Sequence, residues 1–265
     1  MNSTTNRCLA ALLFTFFLKP IITMSDVIIA AGNGWCPYIC VDPSTEAGFA
    51  EKPGIFSEVV IRILADHGHS LKLASMPWSR AILETRNGKY NAVFGSSKSI
   101  TPDFIFPAIP QVTYNMCFHT RDHFTWQYTG INSLESVRLG IVQDYPYDDG
   151  GEVDQYIKQN TNNHFIQVLK GDDRGALLRN IQKLATKRVD AIIDSPYVIN
   201  HTLQTHQLTH KLKIAGCLKT GEMSIAFSPA LSSSKQYARL ITEGMIKLQA
   251  SGDLERIQNK YRFSH

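Results

Sequence analysis

Gly88-Lys-Tyr-Asn-Ala-Val-Phe-Gly-Ser-Ser-Lys-Ser-Ile-Thr-Pro-Asp103 holds three structural signals in a short span. Asn87-Gly88 stops a helical pattern that runs from Ser79 to Arg86. Ala92-Val-Phe94 is a short apolar run that reads as a buried strand. Gly95-Ser-Ser97 then breaks it into a polar loop. Loops at the carboxyl ends of parallel strands are where ligand-holding groups gather in α/β proteins. The hydroxyls and backbone N–H groups of Ser96, Ser97 and Ser99 suit a carboxylate or similar anion there. A serine-rich turn without a ligand is the plainer alternative.

The same alternation extends in both directions. Upstream, Val27–Ala31 is an apolar run broken by Gly32-Asn-Gly34, and Phe56, Val59, Val60, Ile63 and Leu64 share one helix face. Leu71–Ala74 alternates like a strand. A second series begins near Val112. It has strands over Val112–Phe118, Leu139–Val142, Phe165–Leu169, Val189–Ile193 and Ile225–Phe227. Helices are expected over Glu152–Gln159 and on the face formed by Leu177, Leu178, Ile181, Leu184 and Ala185. Two helical patterns, the first including Tyr237 to Leu248 and the second Leu254 to Tyr261, close the chain around Gly252. Repeated strand–helix units predict an α/β architecture in two lobes.

The chain has 265 residues, 43% hydrophobic and 19% charged, which is a globular composition. From Asp26 onward its formal charge is +2, so electrostatics gives no reason to expect nucleic acid. Residues 1–25 read as a secretory signal peptide, with Arg7 ahead of the apolar run Cys8–Leu18 and small Thr23 and Ser25 before Asp26. The run is too short to span a bilayer, which disfavours a membrane anchor. An exported chain places Cys36, Cys40, Cys117 and Cys217 in an oxidising compartment, where an even number suggests disulfides. A metal held by the Cys36–Cys40 pair and buried free thiols are the alternatives.

Taken in order, the segments resemble the bacterial extracellular solute-binding proteins of family 3, the periplasmic components of polar amino-acid ABC transporters. The resemblance rests on Gly34-Trp-Cys-Pro-Tyr38 followed by Pro53-Gly-Ile55, and on the Gly88–Asp103 segment. It also rests on Lys187-Arg-Val-Asp-Ala-Ile-Ile-Asp194, on Ile225–Ser228, and on the spacing of Leu248, Gly252, Leu254, Ile257 and Tyr261. It implies a two-lobed periplasmic-binding-protein fold of type II, with two crossing hinge strands and a ligand cleft between the lobes. Lobe one would comprise residues 26–111 plus 223–265, and lobe two residues 112–222. In that topology Cys117 faces Cys217 across the crossing strands.

The resemblance implies that an aromatic at Trp35 stacks on the ligand and that the Ser96, Ser97 and Ser99 positions meet its carboxylate. Tyr38, Trp78, Arg80, Gln143, Tyr145, Asp194 and Ser195 are the further candidates, with Arg80 offering a guanidinium to an anionic group. Core packing is the plainer role for the aromatics, and a solvated surface position for Arg80. Two positions depart from the pattern. Phe104 stands where the family places a carboxylate-binding Arg, and Asp194 is one residue ahead of the family's ammonium-binding Asp, where Ser195 stands. On a strand, one residue turns a side chain to the other face. The ligand is therefore not fixed as an α-amino acid. Asp148 and Asp149 read as solvated turn residues.

His201, His206 and His210 lie in a polar segment, without the carboxylate or Cys spacing of a metal site. There is no GxSxG, Walker A or HExxH motif, and no cofactor is expected. The expectation is an exported monomer that binds a small polar solute, an amino acid or related carboxylate, for an ABC-type inner-membrane permease. The alternative is a periplasmic dehydratase or lyase of cyclohexadienyl type on the same fold. Neither Glu58 nor Glu84 lies on a strand-end loop to act as its general acid.

Overall fold

A computed structural model describes residues 26–161, 163–169 and 173–261. The expected signal peptide lies outside the described residues.

The first half begins with β1 (Val27–Gly32), α1 (Ile55–Ala65), β2 (Ser70–Ser75), α2 (Trp78–Arg86), β3 (Ala92–Ser96) and β4 (Val112–Tyr114). The chain then crosses to β5 (Cys117–Arg121), β6 (Leu139–Val142), α3 (Glu152–Asn160), β7 (Ile166–Leu169), α4 (Asp173–Ala185), β8 (Ala191–Asp194), α5 (Pro196–Thr205) and β9 (Leu212–Cys217). It returns through β10 (Gly221–Phe227) and ends in α6 (Ser234–Ser251) and α7 (Asp253–Lys260).

Two five-stranded sheets result, ordered β2-β1-β3-β10-β4 and β7-β6-β8-β5-β9. Within them β1, β2 and β3 are parallel, as are β6, β7 and β8. The strands that carry the chain between lobes, β4, β5, β9 and β10, pair antiparallel to their neighbours. This is the α/β, two-lobed arrangement of type II. The Val112–Phe118 run is two strands, because β4 pairs with β10 in the first sheet while β5 pairs with β8 and β9 in the second. The sheets therefore divide near residues 115 and 219, a few residues inside the boundaries drawn from the sequence.

Each lobe is held by burial of the faces the apolar spacing marked. Phe56, Val59, Val60, Ile63 and Leu64 of α1 are all at or below 1% exposed, against Ile28, Phe94 and Ile241. Helices α1 and α6 approach so closely that a Cβ on Gly244 would sit 2.3 Å from Ile63 Cγ2. The second lobe packs Phe118, Leu134, Leu139, Ile141 and Ile193. Cys117 and Cys217 are opposed in register and disulfide-bonded, just past the crossing segments. Cys36 and Cys40 are also bonded.

Candidate ligand-binding site

The segment after β1 is fixed by the start of α1. The first N–H groups of a helix have no partner within it. Here Ile55 N donates to Pro37 O (2.8 Å) and Phe56 N to Tyr38 O (3.1 Å). Gly54 makes that approach possible: its φ is 100°, and a Cβ there would lie 2.4 Å from Tyr38 O. The Cys36–Cys40 disulfide closes the same loop. Trp35 and Tyr38 are thereby held stacked, with centroids 4.6 Å apart, and Tyr114 at the end of β4 meets Trp35 edge-on at 5.1 Å.

This aromatic group is clasped to the second lobe. Trp35 Nε1 donates to Asp194 Oδ1 at 3.1 Å, and the Tyr38 hydroxyl lies 3.3 Å from Ser195 Oγ. Asp194 Oδ1 also accepts from Ser195 N at 2.7 Å, just ahead of α5, where the helix N-terminus favours a negative charge. Nε2–H of His119 donates to the Asp194 carbonyl at 3.0 Å from the neighbouring strand. Burial pushes His119 down to about 4 and Tyr38 up to about 12, so both are neutral near pH 7.

A small cavity of about 60 Å³ lies between the lobes. The first lobe contributes Trp35, Trp78, Phe94, Ser96 and Ser97. Tyr145, Pro146 and Asp149 come from the loop after β6, with Tyr114, Met116 and Glu222 from the crossing segments. Ser96 Oγ is engaged with Thr101 Oγ1 at 3.0 Å. Ser97 Oγ and Asp149 Oδ1 are buried atoms that make no well-formed hydrogen bond. The Asp149 carboxyl is held above the usual carboxylate range, first by burial and then by the charges of Asp148 and Glu222. The nearby Ser97 hydroxyl opposes that rise.

Asp148 and Asp149 are thus not simply solvated turn residues. Asp148 accepts from Val153 N (2.8 Å) and Asp154 N (3.0 Å) and so caps α3. Asp149, at φ 55°, belongs to the cavity wall.

A larger cavity of about 1150 Å³ shares Trp35, Ile39 and Tyr145 with the small one. Its walls include the Cys36–Cys40 loop, Lys52, Asp194, His201, His206 and Lys260. His201 Nε2 sits 3.1 Å from Cys36 Sγ, and burial lowers the His201 pKa. Cys36, Cys40 and His201 are the one His/Cys/Asp/Glu group among the described residues with metal-ligand spacing, but both sulfurs are in the disulfide. His206 and His210 do not join it.

Of the residues singled out in the sequence, Trp35, Trp78, Ser96, Ser97 and Tyr145 line the small cavity. Tyr38, Asp194 and Ser195 form the clasp beside it. Ser99 and Gln143 are exposed and line neither cavity, with the Gln143 amide donating to Asp144. Arg80 also stands apart. Its Nε donates to Glu84 Oε1 at 2.7 Å, one turn along α2, and its side chain is 60% exposed. Phe104 is buried against Ala31, Ala81 and Ala226, under the Arg86 guanidinium, which pairs with Asp103. Among the described residues that line the small cavity there is no Arg. Sequence reasoning missed Tyr114, Asp149 and Glu222. The Asp-Asp-Gly-Gly turn was the only local signal for Asp149.

No protein-family model matches the chain, and no curated protein matches it. Solved structures match its fold over 89% of its length. A histidine kinase sensor domain with similarity to periplasmic binding proteins aligns with a TM-score of 0.67 at 17% identity, covering 95% of that chain. An arginine-binding protein from T. maritima aligns at 0.66 and 15% identity, covering 94%. An amino-acid ABC transporter substrate-binding protein from Streptococcus pneumoniae, bound to L-arginine, aligns at 0.63 and 18% identity, covering 94%. This chain shares their two-lobed periplasmic-binding-protein fold.

Proposed function

We propose that this protein is an exported receptor that closes its two lobes on a small polar solute and presents the closed form to an ABC-type permease. The observation that carries this reading is the aromatic cavity whose walls come from both lobes, beside a clasp made of one hydrogen-bonded pair from each of Trp35 and Tyr38. Only the closed form brings both walls to a ligand, so a ligand shifts the hinge equilibrium toward closure. The structural likeness to amino-acid-binding proteins of ABC transporters supports the same role. No helix among the described residues is long and apolar enough to cross a membrane, which fits delivery by the expected signal peptide. The receptor acts as a monomer.

A thermal-shift screen over amino acids, amines, small carboxylates and neutral polar solutes tests this. A saturable rise in melting temperature with the solute recovered unchanged supports the receptor. One observation favours the lyase instead. Asp149 is a cleft carboxyl with a raised pKa, as a general acid would be. Glu58 and Glu84 are not candidates, since Lys260 and Tyr261 engage the first and Arg80 and Lys89 the second. Mass-spectrometric conversion of a bound solute would establish the enzyme.

A further inference from the structure

The small cavity has an uneven charge. Among its lining residues there is no Lys, Arg or His, while Asp149 is in the wall and Glu222 is exposed at the rim. The rest of the wall is uncharged, with Trp35, Trp78, Phe94, Tyr114 and Tyr145 supplying rings and Asn33 an amide. An anion entering here would leave water to face two like charges and find no Lys, Arg or His in the wall. A cation also leaves water, but this wall offers it compensating partners. A ring attracts it wherever it presents a face, Asp149 Oδ1 makes no well-formed hydrogen bond, and Ser97 Oγ can accept an N–H.

Basic groups near the cleft do not alter this balance. Arg80 and Arg86 are paired with Glu84 and Asp103 and line neither cavity. Lys98 is exposed and lies off the cavity wall. Lys52, His201, His206 and Lys260 face the larger cavity, with Trp35 and Tyr145 forming walls of both. A volume of about 60 Å³ suits a compact head group, with the rest of a longer ligand outside it.

We propose that this cavity selects a small organic cation whose head group is an amine or quaternary ammonium, bound without any carboxylate anchor. The cation sits against Trp35 and Trp78 with its charge toward Asp149. This rests on the receptor reading and narrows it to one ligand class.

Isothermal titration of the purified protein with putrescine, tetramethylammonium, glutamate and succinate tests it. Saturable binding is expected for at least one of the two cations and for neither anion. Asp149→Asn should weaken the cation at least tenfold, and Glu222→Gln by less. If Asp149→Asn fails to fold, Glu222→Gln and the contrast between the charged probes still decide. Binding of glutamate or succinate with both cations silent overturns the cation assignment and leaves the receptor reading standing. Silence from all four, with binding of a neutral solute in the broader screen, also overturns only the assignment. Silence throughout overturns both.

Discussion

Asp194 and Asp149 are two carboxylates of the same lobe, near the same cleft, in opposite conditions. Asp194 ends β8 at the start of α5 and accepts from Trp35 Nε1 and Ser195 N. Asp149 lies in the loop between β6 and α3, with one oxygen buried and unbonded and its pKa raised. The first holds one lobe to the other. The second has one oxygen without a well-formed hydrogen bond at the place where a ligand would sit. A buried carboxylate is tolerable when hydrogen bonds satisfy it and destabilising when they do not. The difference therefore separates a structural acid from one poised for a partner.

Trp35→Ala would break the comparison at both ends. It removes the donor to Asp194 and a ring of the cavity, and roughly a hundredfold loss of ligand affinity by calorimetry is expected of such a buried aromatic anchor. The two Asp→Asn variants should then part in sign. Asp149→Asn weakens an amine ligand by about tenfold, while the melting temperature of the free protein stays level or rises. Asp194→Asn lowers that melting temperature, because Trp35 and Ser195 N lose a charged acceptor. Equal melting temperatures for the two variants would erase the distinction.

Acid titration sharpens it further. The Asp149 pKa is raised above 3.8 on folding, so the stability it contributes is present at low pH and lost as pH rises through its folded value. Lowering the pH from neutral should reduce amine affinity as this carboxyl protonates, and Asp149→Asn should flatten that dependence. Asp190 runs the other way. Its hydrogen bonds from Arg138 lower it from 3.8 to about 2, so its stabilisation is present above 3.8 and lost as pH falls toward 2. His119 adds acid lability from pH 6.5 down toward 4, because the unfolded chain takes a proton that the buried ring refuses. The smallest effect is expected of Arg80→Ala, with affinity within about twofold of the parent for this exposed ion pair. A larger change would bring Arg80 into the site.

Most of the fold was legible because each central strand is an apolar run ended by Gly or a polar turn, as at Val27–Gly32 and Ala92–Ser96. What escaped had no such marker. No Gly or Pro breaks the chain at Asn115-Met116, so β4 and β5 looked continuous. Helix α5 carries Thr202, Gln204 and Thr205 and reads equally as a polar surface helix or loop, although Val198 and Ile199 are buried. Edge strand β9 is only partly buried and shows no clean alternation.

The site was less legible because it is assembled across the hinge. Trp35 and Ser97 follow strands and could be picked out locally. Asp149 reaches the Ser97 wall only because the β6 loop of one lobe meets the β3 loop of the other. Arg80 did carry a local sign of its surface role, with Glu84 four residues ahead on the same helix face.

Agmatine and arginine differ by one α-carboxylate and share the guanidinium, so their relative affinities, measured by calorimetry on the same preparation, probe the cleft's charge preference most directly. Agmatine should bind at least tenfold tighter, because its amine meets Asp149 with no carboxylate beside it, whereas the wall offers the carboxylate of arginine no cation. Tighter binding of arginine would mean that a carboxylate does find an anchor there, and would contradict the assignment of the cavity to a cation without one.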